Sequence, residues 1–110
     1  MPIVHKITQF YKNIYSLGNK ISKRDKFGIY LKIENICIDL IIISIDTAFN
    51  QRENKKPLLY ELRIKVETLK QLIRLMKELK IIEDNPYITL EGQLQEISRM
   101  ASGWIKYLET

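Results

Sequence analysis

Apolar residues recur at alternating spacings of three and four through Leu59, Leu62, Val66, Leu69, Ile73 and Met76. This is the seam of a helix laid along another helix. Leu58, Leu72, Leu75 and Leu79 flank the seam and widen it into a core-facing stripe. The pattern runs from Pro57 to Ile82, and Pro57 suits a first helical turn, where its missing N–H is not needed. At about 1.5 Å per residue the helix would span roughly 39 Å, so it needs partners of similar length. On its opposite face Arg63, Lys70, Arg74 and Lys77 recur with only Glu67 among them. One helix thus carries a core stripe and a basic ridge.

The remaining periods supply the partners. Val4, Ile7, Phe10, Tyr11, Ile14 and Leu17 predict a helix over 3–18, with Gly18 and Asn19 as its breakers. Ser22 followed by Asp25 reads as a capping box that opens a second helix over 23–50. Its middle, ICIDLIIISI, is rich in β-branched residues that favour strands. The length of the run without a turn signal decides for helix. Gln51 to Lys56 reads as a polar loop before the helix over 57–82. Asn85 as N-cap and Pro86 at the first position open the last helix, over 85–108, whose seam is Leu90, Leu94, Ile97, Ala101, Trp104 and Leu108. Four long helices with short connections predict an all-α, up-down-up-down four-helix bundle, one domain over residues 1–110.

The second helix is apolar on two faces. Phe27, Leu31, Ile38, Ile41, Ile45 and Ala48 form one seam, and Ile29, Ile33, Ile36, Leu40 and Ile43 form another. A small bundle covers only one of them. The second seam is expected to form a subunit interface between copies of the chain.

Charge adds a partner class. The formal net charge is +5 and the isoelectric point near 9.3, which favours an anionic partner. The excess is uneven: Lys6, Lys12, Lys20, Lys23 and Arg24 crowd the first third, and residues 52–81 are again basic. A basic surface shared by the first and third helices is expected, with Lys6, Lys12, Lys20, Lys23, Arg24, Arg63, Lys70, Arg74 and Lys77 as nucleic-acid contacts. The competing reading is a solvated face held by Glu61–Lys65 and Arg63–Glu67 helix pairs.

Catalytic chemistry finds no support. His5 is the one histidine and has no neighbour for a dyad, and Cys37 lies in the apolar run without an activating group. There is no glycine-rich phosphate loop and no Glu-x-x-His pair for a di-metal bundle site. No enzyme, metal or cofactor is expected. One cysteine precludes an internal disulfide, and no long apolar run or cleavable leader is visible, so the chain reads as soluble and cytoplasmic.

Three stretches carry a family resemblance: RDKFGIYLKIENICIDL, PLLYELRIKVETLKQLIRLMKELKII and YITLEGQLQEISRMASGWIK. They resemble the Avd proteins, the accessory variability determinants of diversity-generating retroelements, from about Ile3 to Lys106. The most specific pieces are Ile73-Arg74-Leu75, Gln95 to Met100, and Gly103-Trp104. Ser98 and Ser102 stand where the family usually has glycine, and a proline common before the second helix is replaced near Ile21 or Ser22. The resemblance implies a four-helix bundle forming a homopentameric ring with a basic surface. It also implies binding to the element's reverse transcriptase and to its RNA or cDNA during mutagenic homing. Broader relatives are the bundles encoded in ribosomal RNA intervening sequences, which leaves a purely structural or protein-interaction role as the alternative. Within the matching motifs, Trp104 is expected in the core, and Gly103 is expected to admit a close helix neighbour.

Overall fold

In the computed structural model, which describes residues 1–110, the apolar periods fold into helices and no strand. The elements are α1 (Pro2–Leu17), a 3-10 turn (Gly18–Lys20), α2 (Lys23–Lys26), α3 (Ile29–Phe49), α4 (Arg52–Glu78) and α5 (Asp84–Leu108). The four long helices make an up-down-up-down bundle measuring 45 × 22 × 19 Å. α1 packs on α3 and α5, and α4 packs on the same two. α1 and α4 therefore occupy diagonal corners.

The predicted seam of α4 is the core. Leu59, Leu62, Val66, Leu69, Ile73 and Met76 are all fully buried, and all but Leu59 join one cluster with Ile7, Phe10 and Ile14 of α1 and Leu90, Leu94, Ile97 and Ala101 of α5. Trp104 is half-buried, and Ile105 takes the deeper place beside it.

The β-branched run is helical because its buried positions repeat with the helix period and its polar groups are satisfied locally. Ser44 and Thr47, both fully buried, donate to the carbonyls of Ile41 (2.8 Å) and Ile43 (2.7 Å). At the other end of α3, the buried Tyr30 hydroxyl donates to the Ile14 carbonyl at 2.7 Å, closing the last turn of α1. Gly18 makes room for it, since a Cβ there would meet that hydroxyl at 2.9 Å.

The helix boundaries depart from the sequence expectation at four places. The second predicted helix is broken. Ser22 caps α2, its hydroxyl accepting from the Asp25 N–H at 3.4 Å, but α2 ends after one turn and α3 begins only at Ile29. Gln51 to Lys56 is not a loop: α4 starts at Arg52, with Gln51 at its N-cap position. Its polar residues close the corner instead: the Asn50 carboxamide oxygen accepts from the Gln51 N–H and the Asn54 side chain, both at 2.9 Å, and Lys55 donates to the Ala48 carbonyl at 3.2 Å. Pro57 consequently lies inside α4, where it and Glu53 are exposed, so the carbonyl it leaves unpaired faces water. α5 opens at Asp84, two residues ahead of Pro86, with no side-chain cap.

The fourth departure is the end of α4, at Glu78 rather than Ile82. Lys80 adopts a left-handed φ of 61°. The Ile81 N–H bonds to the Met76 carbonyl at 2.8 Å and the Lys80 N–H to that of Lys77 at 2.9 Å, a Schellman closure built without glycine. It tucks Ile82 into the core. A side chain in this conformation costs about 1 kcal/mol relative to glycine. Lys80→Gly is therefore expected to raise unfolding stability by about 0.5–1 kcal/mol in urea titrations. A destabilised variant would show that the lysine side chain, not backbone geometry, sets this corner.

Candidate nucleic-acid interface and apolar face

The basic residues of α4 line up along the helix as their spacing predicts, but beside the core stripe rather than opposite it, and they are not equivalent. Arg63 and Arg74 are exposed, and neither pairs with a carboxylate. Lys70 is half-buried and bonded to Glu67 at 3.1 Å. Lys77 lies over the Tyr87 ring of α5, 4.8 Å from its centroid. The ridge therefore runs beside the α4–α5 seam, which further cation–aromatic contacts close: Lys55 over Trp104 at 5.7 Å and Arg52 over Tyr107 at 5.6 Å. The expected Glu61–Lys65 and Arg63–Glu67 pairs do not form. Lys65 reaches Asp39 across the helix interface at 3.8 Å, and Glu67 takes Lys70.

The cations of the first third lie elsewhere. α1 is diagonal to α4, so the single basic surface expected from the two helices does not form within one protomer. Lys6 faces α5 and pairs with Glu96 at 3.2 Å. Lys12 is exposed on α1. Lys20, Lys23 and Arg24 are exposed at the bundle end where α1 leads into α3, which is also the end where α4 leads into α5. There Lys20 and Lys80 line a common cavity of about 220 Å³ with Leu17, Ile21, Ile81 and Glu83. Lys80, missing from the sequence-based set, joins this group because α4 ends early. Arg99 on α5 is exposed with no carboxylate partner. Gly103 abuts nothing, as a Cβ there would find no heavy atom within 4 Å, so it admits no neighbouring helix within the protomer.

The surplus apolar face of α3 exists, on the other seam from the one expected. Ile33, Ile36, Leu40 and Ile43, assigned from sequence to a subunit interface, are buried inside the protomer, and Ile29 is half-buried against the same core. Leu31, Ile38, Ile42, Ile45 and Phe49 instead face outward, Ile42 at 60% and Phe49 at 89% exposure. These five fall within a narrow sector of the helix. Both seams are continuous and apolar. The packing of α1 and α4 selects the one that also contains Tyr30, Cys37, Ser44 and Thr47.

Three titratable groups are shifted by burial. Burial, with Glu34 adding to it, pushes the Cys37 thiol up to about 12, so it stays protonated and unreactive at neutral pH. Burial likewise pushes Tyr30 up to about 12 and raises Tyr11. His5 is exposed near the start of α1. No three His, Cys, Asp or Glu residues converge as metal ligands. No helix is long and apolar enough to cross a membrane.

A protein-family model described as bAvd-like matches residues 1–108. Neither the curated proteins nor the solved structures include a match to the chain.

Proposed function

The chain belongs to the bAvd-like family, and on that premise we propose that it is a non-enzymatic accessory subunit of a diversity-generating retroelement. In this reading it assembles into a homopentameric ring and binds the element's reverse transcriptase together with RNA or cDNA. The family match over residues 1–108 carries the reading. Two surfaces support it. The outward stripe of α3 is an apolar face of the kind that marks association. Arg63 and Arg74, free of carboxylates on α4, are suited to phosphate contacts. Repetition around a ring adds weak contacts through multivalency.

The competing reading is a structural or protein-interaction bundle without a nucleic-acid role. The pairing of Lys6 with Glu96 and of Lys70 with Glu67 favours it, because such pairs are what a merely solvated surface displays. Co-purification with the reverse transcriptase of the element, with and without RNA, separates the two. The accessory reading predicts a complex that RNA strengthens. A complex indifferent to RNA and to nuclease treatment would favour the interaction bundle.

A further inference from the structure

The outward face of α4 combines features that phosphate binding alone does not use. Tyr60 is 46% exposed, and the Arg63 guanidinium lies 6.0 Å from its ring centroid. Together with Ile64, Thr68 and Gln71 they line a shallow hollow of about 520 Å³. Its one acid, Glu67, is held by Lys70 at 3.1 Å, which leaves Arg63 the free charge of the site. The Thr68 hydroxyl donates to the Ile64 carbonyl at 3.0 Å, so its oxygen is left to accept, and the Gln71 side chain is exposed and unbonded. The hollow thus holds a flat aromatic ring, an aliphatic floor, an amide and a cation. The same pairing recurs near the start of the helix, where Arg52 lies over the 65%-exposed Tyr107. Along the helix axis Arg52 and Arg63 are about 16 Å apart, a reach of a few nucleotides in an extended strand.

We infer that this face receives unpaired nucleobases: a base of a single-stranded nucleic acid stacks on Tyr60 while its phosphate meets Arg63. The inference rests on the nucleic-acid reading above and refines it, from charge contact with any polynucleotide to a preference for single strands. Stacking is open to every base, so it adds strand selectivity without sequence selectivity. Bases in a duplex are already stacked and present no free face to the ring.

The test uses the full chain with a labelled mixed-sequence single-stranded RNA and the same strand annealed to its complement. The wild type is expected to bind the single strand more tightly. Tyr60→Ala should weaken single-strand binding about ten-fold and leave duplex binding unchanged, while Tyr60→Phe stays close to wild type. Because the ring is neutral, Tyr60→Ala should keep the salt dependence, whereas Arg63→Gln should make it shallower. Circular dichroism confirms that each variant is folded. If Tyr60→Ala binds the single strand as the wild type does, or weakens both ligands alike, stacking is overturned while nucleic-acid binding stands. If the variant loses only the reverse transcriptase, the face belongs to a protein partner and the inference fails. If the wild type binds neither RNA, the nucleic-acid reading falls with it.

Discussion

Ile42→Asp is expected to yield a folded, helical protomer that no longer assembles, whereas Ile33→Asp should fail to fold. Both positions lie on the apolar helix α3, and the packing of the bundle decides between the outcomes. Ile42 is 60% exposed on the stripe it shares with Leu31, Ile38, Ile45 and Phe49. A carboxylate there is harmless in the protomer. Buried between subunits without a partner it costs several kcal/mol, enough to dissociate most small interfaces. Ile33 is fully buried in the protomer core. The same penalty there is drawn from a total stability of about 5–15 kcal/mol, after the loss of packed methyl groups has already reduced it. Sedimentation velocity and far-ultraviolet circular dichroism on the two variants separate the effects. An Ile42→Asp protein that sediments like the wild type would exclude the outward stripe from assembly.

The second large effect is on RNA binding. Reversing Arg63 and Arg74 together to Glu should lower RNA affinity by about 100-fold or more, with helicity and assembly retained. These two carry the expectation because they are the ridge cations that neither pair with a carboxylate nor reach another helix, Arg63 lying only over Tyr60 of its own helix. Lys77 is engaged with Tyr87, and Lys70 with Glu67. Each reversal removes a phosphate contact and adds a repulsion, and a ring repeats both in every subunit. Lys6→Ala should matter far less, since Lys6 is already paired with Glu96. Filter binding or fluorescence anisotropy at fixed salt reads the difference. Undiminished binding by the double reversal would make the α4 ridge ordinary solvated surface.

Much of this architecture is legible in the sequence, for identifiable reasons. The seam of α4 contains six apolar positions widened by flanking leucines, and all six are buried. Periodicity alone admits one orientation there. On α3 it admits two, because both seams are continuous and apolar, so the period establishes the helix without saying which side turns inward. Buried Ser44 and Thr47 were the missed signal: a hydroxyl that bonds back to its own helix can be buried, whereas Asp39 and Asp46 border the exposed side. The polar stretch Gln51 to Lys56 reads as a loop because composition does not show side chains capping a neighbouring helix. The end of α4 is hidden because its left-handed residue is Lys80 rather than glycine. The diagonal placement of α1 and α4, by contrast, follows from the topology itself. First and third helices of an up-down-up-down bundle are not neighbours, so their basic residues belong to separate surfaces unless assembly unites them.

The most direct measurement is RNA affinity as a function of salt, made in parallel on the wild type and on Ile42→Asp. If repeated cations around an assembled ring hold the RNA, the wild type should show a steep fall of log affinity with log salt. The dissociated variant, with one subunit's cations, should show a much shallower slope and weaker binding at every salt concentration. Equal slopes and affinities in an assembled wild type and a monomeric variant would contradict the account, since assembly would then contribute nothing to nucleic-acid binding.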